Sequence, residues 1–142
     1  MDTSTHTPLS AVADVLTLLP DPFHPALDED DLRDGCVTIT PITTPDPRVL
    51  VMSGEPEIAS ILFQVSIRAK SRAQARLAGD TVRNLLCETV RGKPIHPPVA
   101  DGYVFDPVTT TGDGQYGPAM PDLHAWVETY RLTWQTRTIA AS

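Results

Sequence analysis

Absences narrow this 142-residue sequence before any motif does. No apolar run approaches the ~20 residues a helix needs to cross a bilayer, so no membrane contact is expected. The opening MDTSTHTPLS carries no base ahead of its first apolar stretch. A secretory signal is therefore not expected, and the chain is expected to act in the compartment where it is made. Cysteine is limited to Cys36 and Cys87. Two thiols cannot form a disulfide framework, and with no Cys-x-x-Cys or Cys/His cluster they do not read as zinc ligands. Both read as buried, reduced core residues. Aromatics make up only 6% of the chain, and none lies within the basic stretch 68–93, which argues against single-strand nucleic-acid binding by stacking.

Catalytic signatures are absent too. No Gly-x-Ser-x-Gly elbow and no paired-carboxylate motif occurs, and His6, His24, His96 and His124 fall in four separate segments without a partner at short spacing. Gly112–Gly117 matches G-x-G-x-x-G, but Pro118, Pro121 and then a strand pattern follow it. A dinucleotide loop needs a strand before it and a helix after it, so this motif reads as a hairpin loop. Asp28, Glu29, Asp30, Asp31 and Asp34 cluster as calcium ligands do, yet counted from Asp30 the third position is Leu32 and the twelfth is Pro41. That register fails for an EF-hand. The expectation is no enzyme, no cofactor and no metal.

What is present is a soluble globular composition, 41% apolar and 20% charged, with an uneven charge distribution. The net charge is −7, and residues 1–35 hold eight acids against the single base Arg33. Acids and bases balance over the rest of the chain, where Arg68, Lys70, Arg72, Arg76, Arg83, Arg91 and Lys93 face only Asp80 and Glu88 across 68–93. Taken alone, that basic stretch reads as a solvated helix face. Beside a detached acidic segment of matching size, it also suggests a head-to-tail ring, with the acids of one copy on the basic strand and helix of the next. Loss of assembly on Arg72→Glu with Arg76→Glu, regained on reversing the acidic loop, supports such a ring.

Periodicity supplies the elements. Thr7 reads as an N-cap and Pro8 as the first residue of a helix whose apolar face is Leu9, Val12, Ala13, Leu16 and Leu19. Cys36–Thr40 alternates as a strand. The turn Ser53–Glu57 makes 48–70 a hairpin, whose second arm buries Ile61, Phe63, Val65, Ile67 and Ala69 and exposes Gln64, Ser66, Arg68 and Lys70. Ser71 starts the main helix, running to about Val90, with Ala75, Ala78, Val82, Leu85, Leu86 and Thr89 inward and Arg72, Arg76, Asp80 and Arg83 outward. Arg76 and Asp80 form an i, i+4 pair. A last strand over about 124–138 buries Trp126, Tyr130, Leu132 and Trp134, with Glu128 the exception on that face. Fourteen prolines, twice the usual share, imply extended loops, placed at about 20–35 and at 93–123, the latter with a possible strand at Tyr103–Phe105. The fold class is α/β in the α+β sense: one domain over 1–142, with a mixed or mostly antiparallel sheet packed by two helices.

In this order, the helix ending Leu18-Leu19-Pro20, the Gly35–Thr40 strand, the passage Arg68–Ala75 from strand through basic junction into alanine-rich helix, and the aromatic strand Trp126–Trp134 resemble the tail terminator, or tail completion, proteins of long-tailed bacteriophages. The resemblance implies a structural virion protein of the tail and neck, assembled in the host cytoplasm. It implies a homo-oligomeric ring, usually a hexamer, on the head-proximal end of the tail tube. Its partners are then its own copies, the tail tube protein and the head–tail connector or stopper protein, with genomic DNA passing the lumen without specific binding. An acidic protein suits that passage, because counterion release rewards basic surfaces. The interface residues expected on these grounds are Asp28, Glu29, Asp30 and Asp31 in the acidic loop, Glu55 and Glu57 at the hairpin tip, and Arg68, Lys70, Arg72 and Arg76 at the basic junction. The loop Asp106–Asp122 is a fourth candidate. The alternatives are a head-side connector or minor capsid protein and, in a different class, a small nucleic-acid-binding regulator using the basic helix 71–90.

Overall fold

The computed structural model describes residues 3–21, 23–26, 34–42, 46–47, 57–112, 114–117 and 123–136. In chain order they form helix α1 (Thr3–Leu16), strands β1 (His24–Ala26), β2 (Cys36–Pro41), β3 (Asp46–Pro47) and β4 (Glu57–Ala69), helix α2 (Arg72–Cys87), and strands β5 (Thr89–Val90), β6 (Lys93–Pro94), β7 (Tyr103–Phe105), β8 (Thr109–Thr110), β9 (Gln115–Tyr116) and β10 (His124–Thr136). The architecture is α+β, a mostly antiparallel sheet with two helices.

Two 13-residue strands, β4 and β10, form the spine. Both alternate β-branched or aromatic residues with polar ones, the pattern of a sheet with one packed face. They pair antiparallel along their whole length, from His124 opposite Ala69 to Thr136 opposite Glu57. On the far side of β4 lie β2, with Ile39 opposite Val65, and β3, with Asp46 opposite Ser60. The first arm of the hairpin predicted over 48–70, Arg48–Met52, and the turn residues 53–56 lie outside the described residues, and β3 pairs with β4 just ahead of that span. β1 extends the sheet beyond β2 and is its one parallel pairing among the described residues. Along the outer edge of β10 run β9, β8 and β7 in turn.

The packed face carries Ile61, Phe63, Val65 and Ile67 of β4 and Trp126, Tyr130, Leu132 and Trp134 of β10, all buried. Phe63 and Tyr130 sit directly opposite one another with ring centroids 5.6 Å apart. The predicted apolar face of the last strand is thus the centre of the core. Each large side chain buried on this face contributes roughly 1.5–3 kcal/mol. The opposite face carries Gln64, Ser66, Arg68, Thr129, Arg131 and Thr133, all of intermediate exposure.

Helix α2 begins at the predicted cap: Ser71 Oγ accepts the Gln74 N–H at 3.1 Å. Ala75, Ala78, Val82 and Leu86 are buried as expected, Leu85 is half-buried, and Gly79 joins the stripe. The helix stops at Cys87 rather than near Val90, because Arg91 (φ 55°) and Gly92 (φ 78°) make a two-residue hairpin turn between β5 and β6. Two successive positive φ values are what a type I′ hairpin turn requires. Thr89 is therefore an exposed strand residue and not part of the inner stripe.

Helix α1 buries Leu9, Val12 and Leu16 as predicted, together with Ala11 and Val15, while Ala13 is half-buried and Leu19 is buried three residues beyond the helix end. It starts at Thr3, ahead of the expected cap Thr7, with Pro8 inside the helix. Proline removes one backbone hydrogen bond there, and burial of its ring offsets the loss. Both segments expected to be loops contain strands: β1 lies in 20–35, and β6 to β9 lie in 93–123. Among them β7 falls on the predicted Tyr103–Phe105. Strands of two or three residues hold their place through the partner ladder and leave too short a run for periodicity to register.

Candidate interaction surface

The predicted site residues divide among separate places. Asp28, Glu29, Asp30, Asp31 and Glu55 lie outside the described residues, and Glu57 opens β4 opposite Thr136 of β10. The four cations of the basic junction do not share one surface. Strand alternation turns Arg68 to the sheet face away from the helices, and its carbonyl accepts the Gly35 N–H at 2.8 Å. Lys70 is exposed and borders a groove of about 480 Å³ between the end of α1 and α2, with Asp21, Asp34, Phe23 and Leu77. Leu77 stands 65% exposed on the rim of that groove.

Arg72 and Arg76, one turn apart on α2, act together. The Arg72 guanidinium lies over the Tyr116 ring at 4.0 Å from its centroid, and that of Arg76 over the Trp126 ring at 5.3 Å. Tyr116 and Trp126 themselves meet edge to face at 5.0 Å, since β9 pairs these two residues directly. Each cation is held by the negative face of a ring, a contact worth roughly 0.5–1 kcal/mol at an exposed site. Beside them a cavity of about 250 Å³ is lined by Arg72, Tyr116, Gly117, His124 and Ala125. The basic helix therefore does have aromatic partners. They come from residues 40 or more positions away in sequence, through β9 and β10, which is why the local sequence shows none.

The indole of Trp126 fills a slot between α2 and the segment before β9. A Cβ added to Gly79 would stand 2.2 Å from Trp126 Cδ1, and one added to Gly114 would stand 2.5 Å from Cζ2. Gly114 belongs to the Gly112–Gly117 motif, and its lack of a side chain serves the indole rather than a phosphate.

Glu128, the exception in the aromatic strand, is only 3% exposed on the packed face. Arg83 meets it from α2 with a bidentate pair, Nε donating to Oε2 at 2.8 Å and Nη2 to Oε1 at 2.7 Å. The outward assignment of Arg83 is thus corrected: its side chain is 40% exposed but its head reaches inward to the buried Glu128. The hydrogen bonds to Glu128 raise the guanidinium pKa above its already high value. The Tyr130 hydroxyl is buried nearby with no partner in hydrogen-bonding geometry among the described residues. Burial and the adjacent Glu128 charge push its pKa up. Cys87, partly buried, is likewise raised to about 11 by desolvation and by the same carboxylate. Cys36 is fully buried, and neither cysteine is in a disulfide.

These two shifts set an alkaline limit. Each group folds as a neutral acid with a raised pKa, so its contribution to stability is complete below the unfolded-state value and is lost as pH rises past it. For Cys87 the window runs from about 9 to about 11. Thermal melts across that range are expected to show falling stability, and Cys87→Ala is expected to flatten the first part of the fall. A flat profile to pH 11 contradicts the assignment.

Among the described residues, no group of three or more His, Cys, Asp or Glu side chains comes together to hold a metal, and no helix is long and apolar enough to cross a membrane. Neither a scan against protein-family models nor a search of curated proteins finds a match to this chain.

Proposed function

We propose that this chain is a structural ring protein of a long-tailed bacteriophage virion, seated on the head-proximal end of the tail tube. There it ends tube polymerisation and offers the head connector a surface to join. The observation that carries the reading is the passage from β4 into α2. A long core strand runs through the basic junction into a capped, alanine-faced helix, and the terminal aromatic strand lies beside it along its full length. This is the arrangement of elements on which the resemblance to tail terminators rests. Two further features support it: the charge is split between distant segments, and the paired cations Arg72 and Arg76 are held outward by rings.

On this reading the partners are further copies of the chain, the tube protein and the connector protein, and genomic DNA passes through the opening without being gripped. Electron microscopy of the purified protein mixed with isolated tail tubes tests it. Rings capping one tube end, with further tube growth arrested, are the expected result. Binding to portal rings instead of tubes moves the protein to the head side.

The contacts of Arg72 and Arg76 with aromatic rings favour one second reading, the DNA-binding regulator. Duplex binding by α2 that weakens steeply between ~50 and 200 mM salt, with no affinity for tubes, establishes that alternative.

A further inference from the structure

We propose that the β5–β6 hairpin of one copy docks into the groove between the end of α1 and α2 of the next, so that neighbouring chains join head to tail. The inference rests on the ring reading above and specifies its contact. The hairpin is tied directly to the end of α2: the Glu88 N–H donates to the Asn84 carbonyl at 3.1 Å, and the Ile95 N–H donates to the Glu88 carbonyl at 3.1 Å. Val90 pairs with Lys93, and every residue from Glu88 to Lys93 is exposed. Strand alternation places Glu88, Val90, Lys93 and Ile95 on one face of this ribbon. Val90 is 58% and Ile95 42% exposed, so that face offers two large aliphatic side chains to solvent. At the tip, Arg91 holds φ 55° where a type I′ turn ordinarily has asparagine or glycine. Such strain concentrates at positions with a use for the side chain, and here it sets a cation on the tip.

The groove carries the complement. Leu19, Phe23 and Leu77 give it apolar walls, and its volume of about 480 Å³ has room for both aliphatic side chains. Asp21, Asp34 and Lys70 supply its charges. The hairpin bears two bases and one acid, Arg91, Lys93 and Glu88, and the groove bears two acids and one base. Among the described residues none of these six charges is in an ion pair. Burial of Val90 and Ile95 against Leu77 supplies the apolar area of the contact, and the inverted charge sets fix its orientation. The closed hairpin is already in shape, so little ordering is lost on docking.

The hairpin does not fill the groove of its own chain. Leu77 lies about 15 Å along the helix axis from Cys87, where the hairpin leaves, and no hairpin residue lines the groove. A knob and a groove on different parts of one subunit define a heterologous contact, which propagates and closes into a ring when the rotation permits. A nucleic acid or an anionic membrane suits Arg91 and Lys93 but leaves Asp21 and Asp34 unanswered. The groove calls for an apolar knob carrying cations, and the chain itself presents one.

Charge reversal in the full-length chain tests the contact. The hairpin variant carries Arg91→Asp, which tolerates the left-handed backbone, with Lys93→Glu. The groove variant carries Asp21→Lys with Asp34→Lys, and a third variant combines all four changes. Each is first checked for an unchanged fold by circular dichroism. Sedimentation at ~20 mM salt, where exposed charges are least screened, is expected to show wild-type association that weakens as salt rises. Each reversal alone is expected to weaken association at least about tenfold, and the combined variant is expected to regain it. Leu77→Ser is expected to weaken association while leaving the melting temperature unchanged, since that side chain is 65% exposed. Single reversals that associate as the wild type does overturn the proposal, as does a combined variant that stays apart. A wild-type chain still monomeric at ~1 mM and ~20 mM salt also overturns it and leaves the groove to another occupant. Failure of the ring role itself reads out separately, as this contact formed normally without capping of tubes.

Discussion

Replacing Arg83 with leucine is expected to destabilise the protein by about 3–5 kcal/mol, lowering its melting temperature by more than about 10 °C. The carboxylate of Glu128 is 3% exposed and takes both of its short hydrogen bonds from that one guanidinium. Removing Arg83 leaves a buried charge with no counterion, beside a Tyr130 hydroxyl that is itself without a partner in hydrogen-bonding geometry. The opposite truncation, Glu128→Leu, is expected to cost much less. Arg83 is 40% exposed and its stem lets the head swing into water. The double replacement Arg83→Leu with Glu128→Leu is expected to recover most of the stability, since a buried pair exchanged for apolar groups is often neutral or favourable. Chemical denaturation of the three variants measures this asymmetry. Equal costs for the two single replacements contradict the view of Glu128 as the dependent partner.

Gly79→Ala is expected to destabilise by about 1–3 kcal/mol, although at an ordinary helix interior the same change gains close to 1 kcal/mol. The sign reverses because the added methyl meets the Trp126 indole at 2.2 Å, and the same ring is also in close contact with Gly114. Neither wall of the slot is the end of a flexible side chain. Gly114→Ala is expected to act in the same direction by a similar amount. In a Trp126→Leu background the slot is empty, and Gly79→Ala is then expected to become neutral or favourable. A double-mutant cycle by thermal melting reads the coupling directly. Because Arg76 rests on the same indole, these variants are also expected to loosen its seat on the ring.

The two sets of residues differ in how visible they were in sequence. The spine of the fold was readable because β4 and β10 are long enough for alternation to emerge from noise, and Ser71 and the alanine stripe mark α2 by local rules. Glu128 was visible as an anomaly on an apolar face, but its partner was not. Arg83 sits at a position that helical spacing assigns outward, and only the length of its side chain brings it in. The short strands β8 and β9 carry no periodic signal at all, yet β9 brings Tyr116 under Arg72 and against Trp126. The basic junction read as one patch because its cations are adjacent in sequence. Strand alternation, the cap and the first helical turn then send Arg68, Lys70 and the Arg72–Arg76 pair in three directions. Gly79 carried no signal for its role, since a glycine inside a helix reads as a weakness until the indole beside it is seen.

A nonsense codon in this gene, in the virus proposed to carry it, followed by electron microscopy of the lysate, tests the proposed role most directly. Overlong or unjoined tails beside DNA-filled heads are the predicted result, because an uncapped tube continues to grow and presents no surface to the connector. Separate tails of normal length beside filled or leaking heads place the protein on the head side instead. Normal, infectious particles contradict a structural role in the virion altogether.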